Sequence, residues 1–292
     1  MQNFADDQDR LWVYDRKTKE YRFQHIKDTA VEQYYYRVRV KDGSKSDEIE
    51  RFFSMLEGHA AKAIKKILKS EALTTIDREH LALFISFQMT RVPDYEKRVN
   101  EMREKSMKKM NQMIFSSVER TKKVIEKYNM AEKITPEEMY KFIQEDKYKL
   151  KKSKEYSIKM ALKPGYDFAR YFLQMNWFFL YTPPKSSFIT SDNPFTIFPP
   201  KIQSPFRGLG ILTPGALKMF PISPGVCLVM EEPGDQVKIG VAKREKIRPI
   251  NLYFAQTSDR FIFSRDEALL RSVVEKSQVD TIPFERERVF VG

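Results

Sequence analysis

The stretch Trp177-Phe178-Phe179-Leu180-Tyr181-Thr182-Pro183-Pro184-Lys185-Ser186-Ser187-Phe188-Ile189-Thr190-Ser191-Asp192-Asn193-Pro194 decides the fold. Two aromatic, β-branched runs flank a Pro-Pro turn, so Trp177–Tyr181 and Phe188–Thr190 read as strands. The chain before this stretch is helical. The chain after it is rich in proline and in short apolar runs.

Upstream, Ile49, Phe52, Phe53, Leu56, Ala60, Ala63, Ile64, Ile67 and Leu68 recur at three and four, which predicts a helix from about Asp47. A second helix is predicted from about Asp77 to Arg91, apolar nearly all round and therefore buried. Asp94 to about Lys127 reads as one long amphipathic helix with a methionine stripe. Thr135-Pro136-Glu137-Glu138 is a helix start with cap and first-turn proline. Ser153–Asn176 reads as helical, interrupted at Pro164-Gly165. Downstream, strands are predicted at Val226–Met230, Val237–Val241 and Arg260–Phe263, with short helices near Ile250–Gln256 and Arg265–Glu275. The N-terminal segment is β-rich, with Leu11–Tyr14 and Tyr21–Phe23 as a hairpin and Tyr34–Val40 as a further extended piece. Strands at both ends around a helical middle give an α+β fold in which the terminal segments share a sheet. The expected organisation is one compact unit over 1–292, β-rich at 1–46, helical at 47–176 and β-rich with short helices at 177–292.

Composition narrows the function. With 292 residues, 41% of them hydrophobic, the chain can form a substantial core and is not disordered. Its one cysteine, Cys227, excludes an internal disulfide and a cysteine-based zinc site. No apolar run reaches the ~18–20 residues of a membrane span, and the acidic start MQNFADDQDR is no secretory signal, so a reducing cytoplasm is expected. The net charge is +12 and is uneven. Residues 91–160 hold 19 basic and 12 acidic side chains, more than half of the excess. Lys147, Lys149, Lys151, Lys152 and Lys154 are interleaved with Tyr148 and Tyr156, a combination that can track phosphates and stack on bases. The same pattern also suits a solvated helix face.

Three polar groups stand out. Glu57 follows Phe53 by four and precedes Ala60, Ala61 and Ile64 at helical spacing, which projects a carboxylate onto an apolar face. Gln88 and Arg91 interrupt the stripe of Leu81, Phe84 and Ile85. If the two helices are antiparallel, Arg91 can pair with Glu57, either as a register-fixing ion pair or as part of a polar pocket. Ser191-Asp192-Asn193-Pro194 closes a strand with a tight turn, where Asp192 can serve the backbone or act as a base or metal ligand. Ser191 has no G-x-S-x-G around it, and no phosphate-loop, dinucleotide or H-E-x-x-H motif occurs.

The pieces Leu11-Trp12-Val13-Tyr14-Asp15-Arg16, Leu56-Glu57-Gly58-His59-Ala60-Ala61, Gln88-Met89-Thr90-Arg91-Val92-Pro93, Phe188–Pro194, Pro221-Ile222-Ser223-Pro224 and Arg260-Phe261-Ile262-Phe263-Ser264, in this order, resemble the domain-of-unknown-function family DUF4238. The resemblance spans nearly the whole chain and implies an intact unit, not a mechanism. Family members open on a motif like His-Tyr-Val-Pro, which is missing ahead of Asn3-Phe4-Ala5-Asp6. The expectation is that the natural start lies upstream or that this member has lost the piece.

Together these features suggest an enzyme acting on a phosphate-containing substrate such as nucleic acid by metal-assisted hydrolysis. Glu57 and Asp192 would be acid/base groups or ligands of Mg²⁺ or another divalent cation, Gln88, Ser191 and Asn193 would orient the substrate, and Arg91 would bind phosphate. The alternative is a non-catalytic protein that binds nucleic acid, another polyanion or a protein, with Glu57–Arg91 as a structural pair.

Overall fold

The computed structural model describes residues 1–29, 38–39, 45–46, 48–128, 134–150, 154–200 and 208–279. It is an α+β fold whose contacts group into two units, residues 1–94 with 158–292, and residues 95–157.

The first unit holds strands β1 (Arg10–Asp15), β2 (Glu20–His25), β3 (Val38–Arg39), β4 (Lys45–Ser46), β5 (Met175–Tyr181), β6 (Thr190–Ser191), β7 (Thr196–Phe198), β8 (Leu217–Ser223), β9 (Val226–Pro233), β10 (Val237–Val241) and β11 (Phe261–Ser264). A four-stranded sheet runs β2-β1-β11-β6, so the two ends of the chain do share a sheet; Trp12 faces Ser264 and Asp15 faces Phe261. A five-stranded sheet runs β10-β5-β9-β8-β7. Tyr34–Tyr36, within the expected third N-terminal strand, lie outside the described residues, and only Val38–Arg39 are assigned there.

Helices α1 (Glu48–Leu68) and α2 (Thr75–Thr90) pack against each other. Thr74 starts α2 through a reciprocal capping box with Asp77. The period of two along each strand sends alternate residues to opposite faces of the five-stranded sheet. Trp177, Phe179, Phe220, Leu228 and Met230 join Ala63, Ile67, Leu81, Ile85 and Phe172 in one core. Met219, Cys227 and Val229 join Tyr14, Ile262, Phe254 and Val273 in a second core. That second core includes α7 (Arg244–Thr257) and α8 (Glu267–Ser277). Trp177 is fully buried, and its indole N–H donates to the Phe172 carbonyl at 2.8 Å, near the end of α6 (Lys154–Leu173). The Tyr181 hydroxyl likewise donates to the Ile67 carbonyl at the end of α1.

Helix α6 runs through Pro164 rather than stopping there, and α7 runs through Pro249. Strand β8 was not evident in the sequence because Pro221 argues against an inner strand. It is accommodated because β7 pairs only with Leu217–Met219, and the β8–β9 register shifts between Pro221 and Ser223.

In the second unit, the long helix expected from Asp94 to Lys127 is two helices, α3 (Pro93–Ile114) and α4 (Val118–Lys127). Ser117 breaks the run by capping α4, its side chain accepting from the Arg120 N–H, and Phe115 turns inward. Helix α5 (Pro136–Gln144) starts at the predicted capping box of Thr135 with Glu138 and packs on α4. Phe115, Ile125 and Ile143 are buried, and Gln144 donates to the carbonyls of Gln112 and Phe115.

Candidate functional site

Glu57 and Arg91 do meet, with guanidinium to carboxylate at 2.8 Å. The pair is not dry, since the Glu57 side chain is 49% exposed and that of Arg91 25%. The expectation of a carboxylate on a buried face is corrected by the helix projection. Phe53, Leu56, Ala60, Ala63, Ile64 and Ile67 form the buried stripe, and Glu57 sits one position off it, on the rim. Arg91 follows α2 as its C-terminal cap, its backbone N–H donating to the Phe87 carbonyl, and its guanidinium lies 5.5 Å from the Phe53 ring centre. Gln88, one turn earlier, is half-buried.

Ser191, Asp192 and Asn193 lie elsewhere in the first unit, at the end of the four-stranded sheet. The Asp192 carboxylate accepts from three consecutive backbone N–H groups, those of Asp259 at 3.0 Å, Arg260 at 2.7 Å and Phe261 at 2.9 Å. Burial pushes its pKa up to about 6, against the pull of those three donors and with some help from the Asp259 charge. The Ser191 hydroxyl donates to the Asn193 carbonyl and accepts from the Asn193 N–H, while the Asn193 amide donates to the Thr257 carbonyl. This turn therefore fastens β6 to the loop between α7 and β11.

Beside it is a group that no helical or strand periodicity in the sequence marks. Asp15 is fully buried. Arg260 grips it with two bonds, Nε at 3.0 Å and Nη2 at 2.7 Å, Arg22 adds one at 2.8 Å, and the Lys17 N–H one at 3.0 Å. Arg16 donates to the carbonyls of Ser258, Asp259 and Val279. The signal available in the sequence was the family resemblance, because Asp15, Arg16 and Arg260 belong to its quoted pieces.

The second unit carries 17 basic and 11 acidic side chains, a net of +6. Lys97, Lys105, Lys109, Lys122 and Lys149 are exposed, with no carboxylate within 4.0 Å among the described residues. On α3, Lys105 and Lys109 alternate with exposed Met102, Met110 and Met113. Lys147 pairs with Glu145 at 3.1 Å. Lys151 and Lys152 lie outside the described residues, and Lys154 is placed only as the first residue of α6. Tyr148 is half-buried, stacked on the exposed Phe142 ring with ring centres 5.2 Å apart, and accepts from Asn111. A cleft of about 460 Å³ is lined by Glu101, Glu104, Lys105, Lys108, Lys109, Gln112 and Asp146. Lys108 is neutralised there by Asp146 at 3.1 Å and Glu104 at 3.4 Å, and these hydrogen bonds, Asp146's first, raise its pKa.

The family model described as protein of unknown function DUF4238 matches residues 1–268. The chain belongs to this family. No curated protein and no solved structure matches it. In this DUF4238 protein the candidate residues thus form two groups. Glu57 closes on Arg91 with Gln88 nearby, and Asp192 closes on residues 259–261. Among the described residues no cluster of three or more His, Cys, Asp and Glu is arranged to hold a metal ion, and no described helix is long and apolar enough to cross a membrane. Chemically, the Asp192 turn holds the backbone of residues 259–261, the Glu57–Arg91 pair is a solvent-reachable carboxylate with a cation, and the second unit offers exposed lysines outside ion pairs among the described residues, of which Lys105 and Lys109 share the cleft with Glu101, Glu104 and Asp146.

Proposed function

We propose that this DUF4238 protein binds a polyanion, nucleic acid first among them, through the lysine surface of its second unit. The observation that supports this reading is the set of exposed lysines, Lys105, Lys109, Lys122 and Lys149, that have no carboxylate within 4.0 Å among the described residues, on a unit of net charge +6. Lysines already neutralised, such as Lys108, release few counterions on binding, whereas free ones contribute to the salt dependence. Binding of a labelled single-stranded oligonucleotide, followed by fluorescence anisotropy from about 50 to about 200 mM salt, tests it. The logarithm of the affinity should fall linearly with the logarithm of the salt concentration. Each phosphate-contacting lysine changed to alanine should reduce the slope by about 0.7. Binding insensitive to salt, or unchanged when Lys105, Lys109, Lys122 and Lys149 are all replaced, would overturn the reading.

A second reading, metal-assisted phosphodiester hydrolysis, is favoured by the exposure of Glu57 beside Arg91. It requires cleavage that depends on a divalent ion and is lost in Glu57→Gln. The same variant should leave oligonucleotide binding unchanged if the lysine surface alone is responsible. As a half-exposed ion pair, Glu57–Arg91 stabilises by about 1 kcal/mol at most, so Glu57→Gln should remain folded.

A further inference from the structure

We infer that β10 is the seam of a two-fold dimer of this chain, in which two copies pair antiparallel about Ile239 and join their five-stranded sheets. Among the described residues strand β10 is the sheet's edge and pairs only with β5, in parallel. An edge strand is a template for another strand, and soluble proteins usually blunt it with proline, a bulge or a charge, lysine especially. The one charge in β10, Lys238, is drawn over the Phe178 ring of its own chain. Val237-Lys238-Ile239-Gly240-Val241 has no proline, and Val237, Ile239 and Val241 are 42%, 57% and 69% exposed.

The hydrogen-bond parity is fixed by two bonds to β5. The Trp177 N–H donates to the Gln236 carbonyl, and the Ala242 N–H donates to the Tyr181 carbonyl. Even-numbered residues of β10 therefore turn their backbone groups toward β5. Val237, Ile239 and Val241 turn theirs to the open edge. In an antiparallel pairing centred on Ile239, these three residues meet Val241, Ile239 and Val237 of the second copy as hydrogen-bonded pairs, so the outward N–H and C=O groups satisfy one another.

The side chains fit the same register. The β-branched residues form one continuous stripe across the seam. Lys238 falls opposite Gly240 of the second copy, so no two lysines face each other, and its ammonium already lies 5.6 Å from the Phe178 ring centre of its own chain. Just beyond the strand, Asp235 falls opposite Lys243 of the second copy, and the pair repeats at the other end. Both residues are exposed. This charge complementarity, present only when the strand meets its own copy in this register, selects a second copy over an unrelated strand as the occupant.

The test is sedimentation equilibrium of the full chain over a range of concentrations at about 0.15 M salt, where long-range repulsion between the cationic copies is screened. A monomer–dimer equilibrium is expected. Ile239→Pro should abolish it without disturbing the circular dichroism spectrum, because the N–H it removes points away from β5. Asp235→Lys should weaken dimerisation about tenfold or more, and Asp235→Lys with Lys243→Asp should restore it. Ile239→Cys should be trapped as a disulfide-linked dimer on oxidation, since facing Cα atoms of such a pair lie about 5.5 Å apart. Cys227 is buried and does not compete. A strictly monomeric protein would overturn the proposal and leave the edge to a different strand. A dimer indifferent to both Ile239→Pro and the charge exchange would overturn it as well.

Discussion

Replacing Asp15 with asparagine probes the clamp that joins the N- and C-terminal strands. The carboxylate is fully buried, and its two oxygens receive two bonds from Arg260, one from Arg22 and one from the Lys17 N–H. An amide can present its oxygen to one side only, so its NH₂ must confront N–H donors on the other. Two guanidinium groups also lose their counter-charge. Breaking a buried ion pair on one side costs about 3–5 kcal/mol. The arginine side chains are 38% and 43% exposed, so water recovers part of their solvation and the loss should fall near about 3 kcal/mol. That is a large share of a stability of about 5–15 kcal/mol. Urea unfolding at neutral pH should show it as a midpoint lowered by about 1 M. The pH dependence has a definite sign. Burial alone would raise the Asp15 pKa, but the Arg260 bonds, the Lys17 N–H and the arginine charges outweigh it and hold the carboxyl below its ordinary 3.8. The stabilisation is therefore complete above about pH 4 and disappears as pH falls through the folded-state value, so the gap between wild type and variant closes in acid. A loss below about 1 kcal/mol at neutral pH, or a gap that stays constant down to about pH 3, would refute the clamp.

Two further outcomes follow from the packing and from Asp192. At Gly165 an added Cβ would lie 2.4 Å from the buried Phe87 ring, so Gly165→Ala should destabilise by about 1–3 kcal/mol, less the helix-propensity gain of up to ~1 kcal/mol; a raised melting temperature would contradict this packing. Asp192, with a pKa of about 6 folded against 3.8 unfolded, binds its proton more tightly in the native state, so its contribution to stability declines as pH rises from about 4 to about 6. Asp192→Asn cannot titrate and should lack that decline, and parallel stability–pH curves for the two proteins would contradict the assignment.

The class of fold was legible because its signals are periodic and local. The α1 stripe, the Thr74–Asp77 and Thr135–Glu138 caps and the β5 run are each encoded within a few residues of themselves. What escaped was set by partners distant in sequence. The N-cap preference of Ser117 outweighs the apolar period that makes residues 94–127 look continuous. Pro221 sits in β8 because a short neighbour leaves its missing N–H unneeded, which no local rule reveals. At the candidate site the pairing of Glu57 with Arg91 was readable from antiparallel helix geometry, but its exposure was not, since one position around a helix separates core from rim. Tyr148 was the reverse case, placed among lysines by sequence yet stacked on Phe142 by the fold.

The position of the family pieces decides where each functional reading must be tested. Tyr14-Asp15-Arg16, Ser191–Asn193 and Arg260 converge on one knot in which the Asp15 and Asp192 carboxylates are committed to internal donors. Pulling Asp192 away to serve as a base or ligand would orphan three backbone N–H groups, each costing about 1–3 kcal/mol, so these bonds favour a structural role for the knot. The pieces Leu56–Ala61 and Gln88–Pro93 differ, because Glu57 and Arg91 bond to each other while both stay within reach of solvent. No quoted piece lies in residues 95–157, so the polyanion reading rests on charge and the hydrolytic reading on motif, in different units of the chain. Whichever set of substitutions, Glu57→Gln or the lysine changes, alters the behaviour toward nucleic acid identifies the residues responsible.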